Sequence, residues 1–315
     1  MLLPGLRAFL AVAQAGSMRE AAGRLRLAQS AVSRRIQQME EELGVALLER
    51  GARGVALTPA GEILLHHARE ATEQVERLRA ELDALRGVRR GHVVVRTVES
   101  FAVAALPRVL TGFRSIYPAV TLDVTVAGSD AILAAVRDRL CHLGIAFNPP
   151  ADPEVEILGS IAEPLAVALA PGHPLAEAES VTLAQLAELP LVAPARLGGS
   201  RLLFDAACRA AHVAIRPTLE TNSAHVIAAF LADGRSVAVL SPGTLSVQVA
   251  LGQVVTIPLA EPLLARGRIA LLARRGRRLP PAAEALALSL LRALSDAECI
   301  VMEATAVRSE GANPF

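Results

Sequence analysis

The sequence contains no lysine and no tryptophan, and it has one tyrosine and three cysteines in 315 residues. The cysteines Cys141, Cys208 and Cys299 are odd in number and far apart, which argues against a disulfide framework and a zinc site. No apolar run approaches the roughly 18 residues that a membrane span requires. Arg7 and Gln14 interrupt the apolar stretch Leu6–Ala15, so that stretch predicts a first helix rather than a signal peptide. We therefore expect a cytoplasmic protein with no membrane partner.

Sequence motifs of enzymes are also missing. The chain has no nucleophile elbow, no phosphate-binding Walker loop, no dinucleotide-binding glycine fingerprint and no cluster of metal ligands. The sequence therefore predicts no enzyme activity, no cofactor and no bound metal. A length of 315 residues, of which 52% are hydrophobic, suits two or three compact units with sizeable cores.

The stretch Met18–Leu43 predicts two short amphipathic helices. Ser17, with Glu20 three residues later, matches a capping box at the start of the first helix, which we expect to end near Leu25. The second helix is expected from about residue 29 to residue 43, because apolar residues recur there at helical spacing. That apolar stripe consists of Val32, Ile36, Met39 and Leu43. The two helices together predict a helix-turn-helix.

The other face of the second helix carries small polar and cationic side chains. Gln and Arg form paired hydrogen bonds with base edges, and Ser binds phosphate oxygens. Five arginines against one acid between residues 19 and 35 make this region basic, although the net charge of the chain is +1. The alternative is a helical hairpin with a solvated polar face; we favour an oriented contact with DNA. The face consists of Gln29, Ser30, Ser33, Arg34 and Gln37.

Residues 6–60 resemble the N-terminal domain of LysR-type transcriptional regulators. The segments that carry the resemblance are LRAFLAVAQAGSMREAAGRL, AQSAVSRRIQQMEEELGVALLER and RGVALTPAG. The resemblance implies a winged helix-turn-helix in which Gln29, Ser33 and Arg34 enter the major groove. It also implies that Arg53, in the wing Gly51–Leu57, reaches the minor groove. Ser30 departs from the family, which usually has proline there. The full set of candidate DNA-binding residues is Ser17, Met18, Gln29, Ser30, Ser33, Arg34, Arg35, Gln37 and Arg53.

A long helix is expected after the wing, from Gly61 to about Leu85. Its apolar residues recur in alternating steps of four and three with charged residues on the flanks, which is typical of a helix that packs against a partner helix. The alternative is a helix that lies on its own domain. We favour self-association into a homodimer, with assembly into a homotetramer, which places two recognition helices on an inverted-repeat operator. The apolar seam comprises Leu64, Ala68, Ala71, Val75, Leu78, Leu82 and Leu85.

From His92 onward, short apolar strands alternate with helices, which predicts sheets covered by helices. The segments GHVVVRTVESFAVAALPRVLTGFRSIYPAVTLDV, LGIAFNP and APGHPLA resemble the LysR effector-binding domain, which is similar to periplasmic solute-binding proteins. His142 stands where the family usually has aspartate. The predicted fold is multidomain: an all-α winged helix-turn-helix with a long linker helix, followed by a bilobed α/β domain like that of periplasmic binding proteins.

The expected domain boundaries follow from these segments. They are residues 1–60 for the DNA-binding domain, 61–86 for the dimerisation helix, 87–91 for a hinge, 92–304 for the effector-binding domain and 305–315 for a flexible tail. By the family pattern, lobe I comprises residues 92–161 and 268–294, and lobe II comprises residues 162–267.

Candidate effector ligands lie after the strands of this domain. Ligands of open α/β sheets bind beyond the C-terminal ends of strands, where helix N-termini present free amides. The segment LGGSR, which ends in Ser200 and Arg201, would form an anion-binding nest, whereas Glu99 would bind an amine. The expected effector is therefore a carboxylate or a zwitterion, and helix capping is the alternative role for the serines. The candidate effector-binding residues are Thr97, Glu99, Ser100, Ser129, Phe147, Asn148, Ser200, Arg201 and Asn222.

Together these features predict a sequence-specific transcriptional regulator in which an effector bound between two lobes changes how the paired DNA-binding domains act on a promoter. The expected partners are double-stranded promoter or operator DNA, the small-molecule effector, further copies of the chain and, for an activator, RNA polymerase. The alternatives are a solute-binding or catalytic domain fused to a DNA-binding head, and a redox sensor based on Cys208.

Overall fold

The computed structural model describes residues 2–51, 54–85, 90–194 and 198–310. The chain divides into two compact units, Met1–Leu82 and Asp83–Phe315. Among the described residues, no helix is both long and apolar enough to cross a membrane.

The first unit is a helical domain with a β-hairpin wing. Helices α2 and α3 begin and end at the residues that the sequence predicts, and the two wing strands pair antiparallel. The elements are α1 (Leu2–Ala15), α2 (Met18–Leu25), α3 (Gln29–Leu43), β1 (Leu48–Gly51), β2 (Gly54–Leu57) and α4 (Pro59–Leu85).

The core of the first unit joins α1 to the apolar faces of α2 and α3. Phe9 on α1 and Val32 and Ile36 on α3 are among its buried residues. Arg26 and Gly44 have left-handed backbones, with φ of 53° and 70°, and they end α2 and α3. The left-handed residue lets the chain reverse while its N–H satisfies a free carbonyl of the last turn. The packing therefore turns the polar face of α3 outward.

The second unit contains two five-stranded sheets, one in each lobe. Its elements are β3 (Gly91–Thr97), α5 (Glu99–Ala104), α6 (Leu106–Ile116), β4 (Val120–Val126), α7 (Ser129–Arg137), β5 (Leu143–Phe147), β6 (Val155–Ala162), β7 (Ala166–Leu169), α8 (Leu183–Ala187), β8 (Leu191–Pro194), α9 (Gly199–Ala210), β9 (Leu219–Thr221), α10 (Ala224–Leu231), β10 (Val237–Leu240), α11 (Ser246–Ala250), β11 (Val255–Pro258), β12 (Arg268–Arg274) and α12 (Pro281–Glu310).

The strand order is β4-β3-β5-β12-β6 in lobe I and β11-β7-β10-β8-β9 in lobe II. Strands β3, β4 and β5 run parallel, and β12 returns antiparallel between β5 and β6. The chain passes from lobe I to lobe II between β6 and β7, and it returns just before β12. At this double crossing, the N–H of Glu163 donates to the carbonyl of Gly267 at 2.7 Å.

Some predicted elements differ from the structure. The sequence pattern of residues 103–116 predicts one helix, whereas α5 ends at Ala104 and α6 begins at Leu106. Pro107 lies in the first turn of α6, where its missing N–H costs no hydrogen bond. The three prolines at 149, 150 and 153 predict a loop after β5, whereas the structure has strand β6 directly after them, from Val155 to Ala162. It pairs along β12 with a register shift between Leu271 and Leu272.

The last helix is also longer than predicted. The sequence predicts an end at Leu294 and a flexible tail from residue 305, whereas α12 continues to Glu310. Residues 295–310 contain neither glycine nor proline and are rich in alanine and glutamate, which favour helix. Helix breakers come only with Gly311 and Pro314.

Candidate functional site

The polar face of α3 forms an exposed surface on the first unit. Gln29, Ser30, Arg34 and Gln37 are exposed, and Ser33 is half-buried. Because the N-cap position holds an alanine, no side chain at that position satisfies the first N–H groups of the helix. The surface therefore presents hydrogen-bond donors and acceptors on side chains and donors at the helix N-terminus, as contact with bases and phosphates requires.

Four other candidate DNA-binding residues have different surroundings. The hydroxyl of Ser17 accepts a hydrogen bond from the N–H of Glu20 at 3.5 Å and so caps α2. Met18 packs against the core of the domain, and Arg35 is half-buried. Arg53 in the wing lies outside the described residues.

A cavity of about 460 Å³ lies between the two lobes of the second unit. Six of the nine candidate effector-binding residues line it: Glu99, Ser100, Ser129, Phe147, Ser200 and Asn222. The lining also includes Val98, Val126, Ala127, Gly128, Pro194, Gly198, Gly199, Thr221, Ile227, Leu240, Ser241 and Thr244. The cavity therefore has an apolar wall interrupted by hydroxyl groups, one carboxylate and helix N-termini, which is typical of small-molecule sites.

Helix capping does not explain the serines that line the cavity. The N-cap positions of α5, α7 and α9 are Val98, Gly128 and Gly198, which have no side-chain hydroxyl. Ser129 instead accepts a hydrogen bond from the N–H of Phe147 at 3.1 Å. Since that hydroxyl accepts from the backbone, its own hydrogen can be donated to a ligand. Ser223, outside the lining, caps α10 by accepting a hydrogen bond from the N–H of Val226.

Arg201 was expected in the effector site but does not line the cavity. Its side chain is 6% exposed, and it donates to Asp205 Oδ1 at 2.8 Å, Glu220 Oε1 at 3.1 Å and the carbonyl of Pro194 at 3.0 Å. The prediction was wrong because the helical turn after Ser200 directs this side chain toward β8 and β9. The guanidinium holds α9 on the sheet of lobe II.

Thr97 and Asn148 also lie outside the lining. Thr97 is fully buried, and its hydroxyl donates to the carbonyl of Val98 at 3.1 Å. The Asn148 side chain accepts from the N–H of Arg268 at 2.8 Å, where the chain re-enters lobe I. Thr97 ends β3 and Asn148 follows β5, but the side chains of both residues satisfy backbone groups of lobe I.

Ser241 is a lining residue that sequence reasoning missed. It follows β10 and donates a hydrogen bond to the carboxylate of Glu163, which also accepts from the N–H of Gly243 at 3.4 Å. Burial raises the pKa of Glu163 above its usual value, and these two hydrogen bonds oppose the rise. The strand-then-SPGT pattern at residues 237–244 was the signal that could have identified this part of the site.

The two described cysteines are buried thiols. Burial raises the pKa of both Cys141 and Cys208 to about 11, so both are protonated near neutral pH. The thiolate is the form that reacts with oxidants, so this environment argues against Cys208 as a redox sensor.

Comparison with known protein families decides the identity of the chain. Residues 3–62 match the bacterial regulatory helix-turn-helix protein domain of the lysR family, and residues 86–295 match the LysR substrate binding domain. The chain belongs to the LysR family of transcriptional regulators. It is thus a DNA-binding regulator with an effector-binding C-terminal domain, and the family is one of regulators rather than enzymes.

Individual relatives agree with this assignment. The chain is 31% identical over 283 residues to the RuBisCO operon transcriptional regulator of Allochromatium vinosum, covering 89% of this chain and 92% of that protein. It is 32% identical over 271 residues to a probable nitrogen assimilation transcriptional activator of Synechococcus elongatus, covering 84% and 87%.

Solved structures share the fold. A full-length OxyR variant from Pseudomonas aeruginosa aligns with a TM-score of 0.71 at 22% identity, covering 93% of this chain and 94% of that one. Full-length CbnR in complex with its target DNA aligns with a TM-score of 0.60 at 24% identity, covering 93% and 100%.

Proposed function

We propose that this LysR-type regulator binds an inverted-repeat operator as a homodimer, with two dimers assembling into a tetramer. The dimer is supported by the exposure of apolar side chains on α4 in the single chain. Ala68 is buried in the core of its own domain, whereas Leu78 and Leu82 are 55% and 49% exposed. The first part of the apolar seam thus packs within the chain, and the second part is available to a partner helix.

We propose further that Gln29, Ser33 and Arg34 read base edges in the major groove, with Ser30, Arg35 and Gln37 on backbone phosphates. The exposure of this face and the uncapped start of α3 support these roles. Arg53 in the wing is assigned to the minor groove, and Ser17 and Met18 position the start of α2 against the DNA backbone. We place this regulator in the cytoplasm, where promoter DNA is accessible to it.

The proposed effector is a small carboxylate or zwitterion bound in the cavity between the lobes. Helices α7 and α9 begin at this cavity, and their N-terminal amides and the Ser129 hydroxyl suit a carboxylate. On the same cavity, Glu99 and Ser241 offer acceptors for an ammonium or hydroxyl group. Because the Arg201 side chain is bound within lobe II, helix N-termini and hydroxyl groups would bind the anion instead.

Calorimetric titration of the full chain tests this effector class. The titrants are the twenty common amino acids together with propionate, lactate and benzoate as matched carboxylates. We expect binding of a zwitterion or hydroxy acid that weakens about tenfold in Ser129→Ala, equivalent to about 1.4 kcal/mol, and weakens similarly in Glu99→Gln. Binding of benzoate with unchanged affinity in Glu99→Gln would contradict the zwitterion.

The regulator is proposed to contact RNA polymerase when it activates transcription. The Synechococcus elongatus relative is described as a probable activator, and the two relatives are named for different targets. The target genes of this chain, and whether it activates or represses them, are therefore not taken from these relatives. They have to be determined on the chain's own promoter. In vitro transcription from that promoter, with and without the regulator, measures both.

A further inference from the structure

One close contact between the two lobes involves a glycine that lines the cavity. A Cβ atom built on Gly199, the first residue of α9 in lobe II, would lie 2.5 Å from the carbonyl oxygen of Phe147 and 3.3 Å from the hydroxyl of Ser129, both in lobe I. Gly199 does not have the positive φ that would favour glycine, and alanine is a better residue in a helix. The local backbone of α9 therefore does not require glycine at this position.

Both sides of this contact are anchored by hydrogen bonds within their own lobes. Phe147 is the last residue of β5, is paired with Ile269 of β12, and donates its N–H to Ser129. On the other side, Arg201 holds the first turn of α9 to the carbonyl of Pro194 and to Glu220. Relief of an overlap between two anchored backbones requires the lobes to move apart as bodies.

The contact lies close to the segments that join the lobes. The Phe147 ring lies 2.8 Å from the Cβ that would be built on Gly267, and Gly267 is hydrogen-bonded to Glu163 at the double crossing. Strands β4 and β9 are the outer strands of the two sheets, and their last residues, Val126 and Thr221, line the cavity. If the lobes rotate about the joining segments to relieve the overlap at Gly199, points of the lobes far from those segments move by more than the overlap itself.

We propose that Gly199 is the closure contact of the cleft: its missing side chain lets lobe II close on lobe I, and any side chain at this position holds the cleft open. A Cβ–oxygen contact of ordinary length is at least 3.4 Å, so even alanine must shift the lobes at this point. The closure contact itself does not depend on the proposed effector site. Only the link between closure of the cleft and regulation rests on that site.

The distance between two spin labels, one in each lobe, can be measured by electron spin resonance and tests the proposal without a ligand. Spin labels are placed on the exposed positions Thr125→Cys in lobe I, next to the lining residue Val126, and His225→Cys in lobe II, two residues before the lining residue Ile227. The three native cysteines are replaced by alanine, and the labelled chain is mixed with excess unlabelled chain so that distances within one chain dominate.

We expect the mean distance between the labels to increase by about 2 Å in Gly199→Ala and by more in Gly199→Leu. The matched controls are Gly128→Ala, which lines the same cavity, and Gly112→Leu on α6. A Cβ at either of these glycines has no described heavy atom within 4 Å. Both controls should retain the distance of the unsubstituted chain.

An unchanged label distance in Gly199→Ala and Gly199→Leu, with intact far-ultraviolet circular dichroism and melting, would overturn the proposal. If Gly199→Leu fails to fold, Gly199→Ala decides by the same comparison, because alanine is favourable in the first turn of a helix. The result does not depend on the effector, so failure of the proposed effector class leaves this test intact.

Discussion

The backbone N–H of Val94 donates to Nδ1 of the buried His142 at 2.9 Å, and the N–H of His142 donates to the carbonyl of Val94 at 2.8 Å. The imidazole thus takes the place of a strand acceptor beside β3, at a position where LysR-type regulators usually have aspartate. An Nδ1 atom that accepts a hydrogen bond carries no proton. Burial, together with the charges of Arg277 and His92, lowers the pKa of His142 to about 3.

This arrangement predicts a loss of stability in mild acid. The unfolded chain binds a proton at His142 below about pH 6.5, whereas the folded chain does not until about pH 3. Between these values, falling pH favours the unfolded state, and the loss reaches about 2 kcal/mol at pH 5 relative to pH 7.5. Because the chain has no tryptophan, urea unfolding is followed by circular dichroism.

The matched variant for this prediction is His142→Asn, whose side-chain oxygen can accept from Val94 but does not titrate. Its free energy of unfolding should fall less between pH 7.5 and pH 5 than that of the unsubstituted chain, by about 2 kcal/mol. Parallel pH curves for the two proteins would show that His142 is not the group responsible.

Replacement of Arg201 by alanine is expected to destabilise lobe II. The change removes the three hydrogen bonds to Asp205, Glu220 and Pro194, and leaves two carboxylates that are about one-third exposed. Because water can reach those carboxylates, we expect a loss of about 2 kcal/mol, below the range for fully buried pairs. Thermal unfolding measures it, with Arg209→Ala on the exposed face of α9 as the control. If Arg201→Ala keeps its stability but no longer binds the effector, Arg201 takes part in effector binding.

Removal of the Arg34 side chain is expected to reduce the preference for operator DNA. If Arg34 pairs with a base edge, Arg34→Ala loses about 1–3 kcal/mol of discrimination between the operator and an unrelated duplex. Arg114→Ala on the exposed surface of α6 removes the same charge outside the helix-turn-helix. Equal weakening on both duplexes in Arg34→Ala would assign this side chain to phosphate contacts instead.

Charged residues in the exposed part of the α4 seam are expected to break the dimer. Leu78→Glu or Leu82→Glu places a carboxylate in each half of the proposed interface, where burial without a partner is costly. Sedimentation velocity should then detect smaller species, whereas Gln74→Glu, exposed on the same helix, should keep the assembly of the unsubstituted chain. Monomers in the unsubstituted chain at micromolar concentration would contradict the proposed assembly.

The sequence predicted the helix-turn-helix because the bounds of its helices depend on neighbouring residues, namely an N-cap pattern and the apolar spacing along a helix. The Ser17–Glu20 pattern and the apolar stripe of α3 gave the bounds of α2 and α3. In the effector domain, the strand ends predicted six lining residues, since ligands collect where parallel strands end. The direction of Arg201 and the approach of Ser241 depend on packing between distant segments. The local patterns did not show these contacts, so Arg201 was placed in the cavity and Ser241 was left out of it.

The most direct test of the central claim is a fluorescence-anisotropy titration of the full chain on the DNA upstream of its own gene, against a scrambled duplex, at two salt concentrations. A sequence-specific regulator should bind the upstream fragment more tightly and keep that preference at the higher salt, because base contacts survive when phosphate contacts weaken. Equal binding to both duplexes that disappears at the higher salt would contradict sequence-specific regulation from this site.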